Sequence, residues 1–589
     1  MKTVNNFRFF LYLVCAVVVA AYSCREDMSD EQFKTTDDLM IYEYIVKNNI
    51  SDAFIELVNK ADLKGMLQAY GSYSCFVPTD AAISEYLSRN GKLNVADLSD
   101  DECLDIVKFH VIPDTLRTLD FVDGRLRTAN MMKMYLTTRL ENIDGKSELQ
   151  VNRQAIILDR DIRTGNGYIH VIDRVLTEPE HTIGELISSL GNEYSLFKNV
   201  MIKSGWADTL SRRSESFWYT VFLQSDQSFV RSGIRSEAHL LERLREDRPD
   251  IEDDKDLLWA FAAYHCVKGL YYFADLTNES ALQACAPNQA ITIKLNRDNL
   301  IVNEYINEAT DSKEEGVLVD RESFYTDYSC NNGVLIDLEG YIGPKKRKAQ
   351  AVFWDVCLQP EFTKDSRFRR ASWNLNREQF ENLSEITTSF VMNPGGGDFG
   401  YSYFGGYADN WAVVNFDALQ VNMYRLNDIA FKLPLLTEGV YNVWICYRRA
   451  DVQTLRINGV FLQDGKEEQK MNNIVTLYDY YDTSTDAQIL LISKGMKRYV
   501  AKHRSSTTNS YLLGTIAVES TGRHTLRLDV VDRGRNTQVW IDMFHFIPID
   551  DDQLWPRFDK QGTRIMPLTE CKDIYPFDNM TCPEDQDSH

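Results

Sequence analysis

Positive charge is scarce in this chain. Its 589 residues hold 64 Lys and Arg against 87 Asp and Glu, a net charge of −23. That balance excludes nucleic acid as a partner, because phosphate binding needs a basic footprint. Long apolar runs are missing as well. The one unbroken run, residues 9–22, falls short of the ~20 residues a membrane-spanning helix needs. Eleven cysteines in this length do not make a disulfide scaffold. No CxxC or HExxH spacing supports zinc, no loop shows a calcium-ligand pattern, and no GxSxG places a nucleophile. A pair of glycosidase carboxylates is defined in space and leaves no spacing to read. The sequence therefore predicts no catalytic residues, no cofactor and no metal, and the chain is not expected to be an enzyme.

What is present begins at the leader. Lys2 and Arg8 flank the start of the apolar run, which ends in "AAYSCREDMSD" at 21–31. A basic start, a short apolar core and small closing residues describe a secretory signal peptide over 1–23. The cysteine after Ser23 resembles the lipobox of bacterial lipoproteins. The resemblance implies cleavage before Cys24 and lipidation of its thiol, and each buried methylene then adds roughly 0.8 kcal/mol of anchoring. Residues 25–38 hold six acids and two bases without apolar periodicity, so 24–37 is expected to be a solvated tether. Acids directly after the lipidated cysteine are similar to the export signal of surface lipoproteins of Gram-negative bacteria. The expected location is the outer membrane, lipid-anchored and facing outward. Cys571 and Cys582 bracket a short Pro-containing stretch in the tail, 549–589, and are the expected disulfide.

Two copies of one unit follow. The first reads "YSCFVPTDAAISEYL" at 73–87, "CLDIVKFHVIP" at 103–113 and "NGYIHVIDRVL" at 166–176. The second reads "WYTVFLQSDQSF" at 218–229, "FAAYHCVKG" at 261–269 and "NGVLIDLEGYI" at 332–342. In each an apolar strand runs into a helix cap, offered by Thr79 or Asp80 in one copy and by Ser225 or Asp226 in the other. His110 and His265 sit on apolar faces and read as hydrogen-bonded core residues. Asn-Gly at 166 and 332 is a favoured tight turn leading into a β-branched strand.

The copies resemble tandem fasciclin domains, over 38–180 and, more divergently, 181–345. The resemblance rests on Phe76, Val77, Pro78, Thr79 and Asp80, the box from His110 to Pro113, and the run from Asn166 to Asp173. The second copy has Gln224 and Ser225 for Pro78 and Thr79, Ile336 and Glu339 for His170 and Asp173, and an acidic insertion, "REDRPDIEDDKD". The family implies a compact α/β fold used outside the cell in adhesion and ligand binding, with Thr79, Asp80, His110, Asp226 and His265 as structural residues.

Basic "GPKKRK" at 343–348 reads as a linker. Beyond it, 350–548 alternates short β-rich runs with turn residues, which predicts an all-β sandwich or barrel. The closing "GRHTLRLDVVDRGRNTQVWIDMFHFIP" resembles the last strands of galactose-binding-like jelly rolls, which include carbohydrate-binding modules. The expected fold is thus multidomain: two α/β domains, then an all-β jelly-roll sandwich. Sugar readers stack aromatic faces on pyranose rings and take the hydroxyls with amides and acids. "NPGGGDFGYSYFGGYADNW" at 393–411 carries those residue types, so Tyr401, Tyr403, Tyr407 and Trp411, with Asp409 and Asn410, are the candidate ligand residues. Trp444 and Trp540 alternate within strands and are expected in the core. The expected partner is a glycan or matrix polymer, the alternative being an outer-membrane transporter or partner lipoprotein.

Overall fold

The computed structural model describes residues 38–566, apart from 122, 144–145, 213–217, 308–311, 406–412, 449–454, 478–487, 501–507 and 535–537. The chain divides into two units, Met1–Pro179 and Glu180–His589.

In the first unit, strands Tyr73–Pro78 and Gly167–Ile172 run parallel at the heart of a seven-stranded sheet, paired from Tyr73 with Gly167 to Pro78 with Ile172. The helices Ile41–Asn48, Asp52–Lys60, Asp80–Arg89 and Asp100–His110 supply much of the apolar cluster that receives Cys75, Val77 and Ile169. Phe76 and Ile172 enter a second cluster with Leu126, Leu136 and Val151. Both faces of the central strand are thus covered, so it reads as a continuous apolar run rather than an alternating one.

The second unit opens with the same plan. Strand Tyr219–Gln224 pairs parallel with Gly333–Leu338, again over six residue pairs. An additional helix, Glu237–Asp247, precedes Asp254–Tyr264, and the acidic insertion forms the turn between them. Asp253 caps the second of these helices by accepting from the Lys255 and Asp256 amides.

Residues 343–348 behave as a strap rather than a loose connection. The Arg347 side chain is only 6% exposed and pairs with Glu314 at 2.9 Å, and its guanidinium lies 3.4 Å from the Tyr305 ring centroid. Lys345 also reaches Glu314, at 3.1 Å. Two of the strap's four basic side chains are thereby tied to one carboxylate on the fasciclin-like side.

The remainder is a sandwich of antiparallel strands. The larger sheet holds eight strands, with Val539–Pro548 between Asp417–Val421 and Gly439–Arg448. The smaller, five-stranded sheet centres on Gly522–Asp532. Phe431, Phe461 and Leu528 from one sheet and Val443, Ile445 and Phe544 from the other share one core. The outer face of the larger sheet carries a further apolar layer, in which Trp444, Cys446 and Met543 meet Phe353, Tyr499 and Phe558. Part of the expected tail therefore belongs to the packed body: Trp555 and Phe558 are buried, and Val500 bridges to Phe558. Among the described residues, no helix is long and apolar enough to cross a membrane.

Candidate functional site

The residues singled out in the two repeats hold the backbone. Thr79 caps its helix by accepting from the Ala82 amide at 3.2 Å. Asp80 caps the neighbouring helix instead, its Oδ1 accepting from Ser51 Oγ and the Ala53 amide, each at 2.9 Å. The second copy repeats the division of labour. Ser225 accepts from the Ser228 amide, while Asp226 takes Ser195 Oγ and the Leu196 amide. His110 Nδ1 donates to the Ile106 carbonyl and its Nε2 accepts from the Leu176 amide. His265 Nδ1 donates to the Phe261 carbonyl, and its buried Nε2 has no partner among the described residues. Burial pushes both imidazoles down to about 4, so they are neutral at physiological pH.

The Asn-Gly turns hold more than their local spacing suggests. Asn166 is buried; its amide donates to the Leu67 and Ala69 carbonyls, and its Oδ1 accepts from the Ile41 amide at 2.9 Å. Asn332 does the same for Leu210, Arg212 and Ile183. Gly167, at φ +148°, passes so close to Tyr73 that a β-carbon would stand 1.7 Å from its carbonyl oxygen.

Of the sandwich candidates, Tyr401 and Tyr403 fall within the described residues. Tyr407, Asp409, Asn410 and Trp411 lie outside them, as do Cys24, Cys571 and Cys582. Tyr401 is 1% exposed, and its ring stacks on Trp373 at 4.2 Å between centroids. It has no face to offer a sugar and is a core residue, a correction to the sequence reading that follows from packing against a strand distant in sequence. Tyr403 is half-buried at the end of its strand. Beside that strand, Trp540 donates from Nε1 to Ser402 Oγ at 3.1 Å, and the Arg448 guanidinium lies 4.6 Å from its ring centroid. Phe404 and Val413 cluster with Trp540. Trp540 is half-buried, whereas Trp444 is buried as expected.

The Tyr401 hydroxyl leads to a group that sequence reasoning missed. It donates to Asp417 Oδ2 at 2.7 Å, and the Arg369 guanidinium joins Asp417 at 3.2 Å and Asp355 at 3.3 Å. Asn415 and the Cys357 amide also donate to Asp355. Asp542, fully buried, accepts from Tyr499 Oη at 2.7 Å and the Val414 amide at 2.9 Å. Burial and the neighbouring Asp355 charge raise Asp417 to about 7, and burial pushes Asp542 and the Cys357 thiol each well above its ordinary range. Among the described residues Asp417 Oδ1 and Asp542 Oδ1 have no hydrogen-bond partner, and ligand atoms of Asp355, Cys357 and Asp417 lie within 4.8 Å of one another. Carboxylate oxygens beside a protonated thiol would suit a hard cation rather than zinc, although Arg369 already supplies positive charge there. The sequence signal for this group is a lone acid inside an apolar strand, as in "VFWDVC" and "VWIDMF".

The fasciclin-domain family model matches residues 51–178 and 192–338. The chain therefore carries two tandem fasciclin domains followed by a mostly β region. It is 28% identical over 148 residues to protein sll1483 of Synechocystis sp., covering 25% of this chain and 78% of that protein. It is 26% identical over 306 residues to Stabilin-2 of Mus musculus, 49% of this chain but 11% of that protein. Among solved structures, a FAS1 domain pair from the insect cell adhesion molecule fasciclin I aligns at 16% identity and a TM-score of 0.24, over 50% of this chain and 97% of that one. TmCBM27, a carbohydrate-binding module studied for mannan recognition, aligns at 14% identity and a TM-score of 0.19, over 34% and 98%.

Proposed function

We propose that this chain is a non-catalytic surface lipoprotein that captures a glycan or matrix polymer through its C-terminal sandwich, with the fasciclin pair holding that reader away from the membrane. The observation that carries the reading is the polar-aromatic corner of the sandwich. Trp540 presents a half-buried ring with Arg448 and Ser402 beside it, and an indole next to a hydroxyl and a guanidinium suits a pyranose. The fasciclin motif residues support a structural role, since each is engaged in holding backbone or caps. Several modules on one anchor raise effective concentration, so individually weak sites hold a polymer.

The test is a glycan array probed with the soluble ectodomain, residues 25–589, alongside Trp411→Ala, Trp540→Ala and a form lacking 350–589. Binding lost in all three supports the reading. Silence across the array from a folded protein refutes it.

A second reading, a subunit docking an outer-membrane transporter or lipoprotein, is favoured by one feature. A groove of about 480 Å³ on the first fasciclin domain is lined by Leu119, Phe121, Leu140 and Leu149 beside Arg139 and Arg160. Leu119 is 85% exposed and Leu140 64%.

A further inference from the structure

A second cleft of about 480 Å³ lies within the second unit, between the second fasciclin domain and the sandwich. Its walls are joined at close quarters. The Thr521 amide donates to the Asn288 carbonyl at 3.4 Å, and a β-carbon on Gly522 would stand 3.0 Å from Gln283 Oε1. The strap adds a tie, the Lys345 amide donating to Gln289 Oε1 at 3.2 Å.

Some of the charges lining the cleft are already matched. Lys466 pairs with Glu519, and Arg523 pairs with Glu385 while donating to the Leu433 carbonyl. Burial pushes the His524 imidazole down, and its Nε2 meets the Ser520 carbonyl. Three charged side chains on the cleft have no ion-pair or hydrogen-bond partner among the described residues: Glu279 on the fasciclin wall, and Lys432 and Asp464 on the sandwich wall. Tyr271 adds an aromatic wall, its ring seated against Gly269, where a β-carbon would come within 2.4 Å of it.

We infer that this cleft binds a short, uncharged oligosaccharide held by both domains at once, an inference that rests on the glycan reading above and gives it a second site. Sugar hydroxyls donate to carboxylates and accept from an ammonium, and Tyr271 supplies an apolar face. The volume falls within the roughly 300–1,000 Å³ of small-ligand sites. Two unmatched carboxylates against one ammonium disfavour sulfated and uronic sugars. The second fasciclin domain is then half of a binding site, and the strap fixes the distance between the halves.

The experiment probes the full chain on an array of neutral, acidic and amino-sugar oligosaccharides, with Glu279→Gln from one wall, Asp464→Asn from the other, and Trp540→Ala as the comparison. Asp464 is exposed, and Glu279 is half-buried with no hydrogen-bond or ion-pair partner among the described residues, so unfolding temperatures should match the parent. Binding to neutral oligosaccharides weakened at least about tenfold by each cleft variant supports the inference, the scale of a lost hydrogen bond to a charged group. Binding kept by both cleft variants but lost in Trp540→Ala overturns the cleft and leaves the glycan reading standing. A preference for acidic sugars also overturns it. No binding by the parent chain to any sugar overturns both.

Discussion

Replacing Asn166 with alanine should unhook the first fasciclin domain from its own first helix. The side chain makes three hydrogen bonds to backbone, at 2.9, 3.0 and 2.9 Å, to Ile41, Leu67 and Ala69. At a net value of about 1 kcal/mol each, the loss is about 3 kcal/mol, and the buried amide and carbonyls left behind raise it. For a domain of this size that corresponds to a melting transition lower by roughly 6–12 °C. Differential scanning calorimetry of the full chain should show the transition of the first unit moving while the second stays. Asn332→Ala, which removes the equivalent bonds to Ile183, Leu210 and Arg212, should move the second unit instead. A shift of less than about 2 °C in Asn166→Ala would refute the reasoning, because the three bonds would then be worth less than one.

Gly167→Ala drives a β-carbon to 1.7 Å from the Tyr73 carbonyl, and should cost more than about 3 kcal/mol or abolish folding of the first domain, read by circular dichroism. Burial raises Asp417 to about 7, so the folded chain holds a proton that the unfolded chain releases above about pH 4. That contribution to stability is complete below about pH 4 and is lost as pH rises through 7, a slope that Asp417→Asn should flatten in melting curves taken across the window. A parent and variant with parallel pH profiles would count against it. Arg347→Ala leaves Glu314 with Lys345 alone and bares the Tyr305 face, so trypsin should cut at 345–348 in the variant and spare the parent. Cys24→Ala should abolish incorporation of labelled palmitate in cells; retained label would remove the proposed anchor.

Local chemistry was legible and remote packing was not. The caps at Thr79 and Ser225 follow from a hydroxyl placed between an apolar strand and a helix, a signal three residues long. The paired Asn-Gly turns were readable as turns, but their clamping role depends on carbonyls 97 to 122 residues away in sequence. Tyr401 misled because a Gly-rich aromatic stretch has the composition of a binding loop, whereas Trp373 closes over it only in the folded sheet. Asp355, Asp417 and Asp542 come from three separate strands, so no spacing announces them. The charge of the strap reads as a linker, and Glu314, which pairs with two of its four cations, belongs to a hairpin some thirty residues upstream.

The two asparagines also determine how each fasciclin domain would bear tension. In the first, the chain is tied on arrival: the Gly165 amide donates to the Leu39 carbonyl, and the Ile41 amide to Asn166, 125 positions later. In the second, the Asn331 amide donates to the His181 carbonyl, and Ile183 reaches Asn332, 149 positions later. A pull between the two ends of either domain crosses this tie directly, and the residues between hang as a closed loop outside the line of force. The load falls on the last strand, Gly167–Ile172 or Gly333–Leu338, which lies parallel to its partner along six residue pairs. Drawing that strand out lengthwise strains its ladder together instead of one bond at a time, and resistance to such a pull is set by the unfolding rate rather than by equilibrium stability. While the tie holds, tension runs only through the last strand, and the looped-out residues before it carry none.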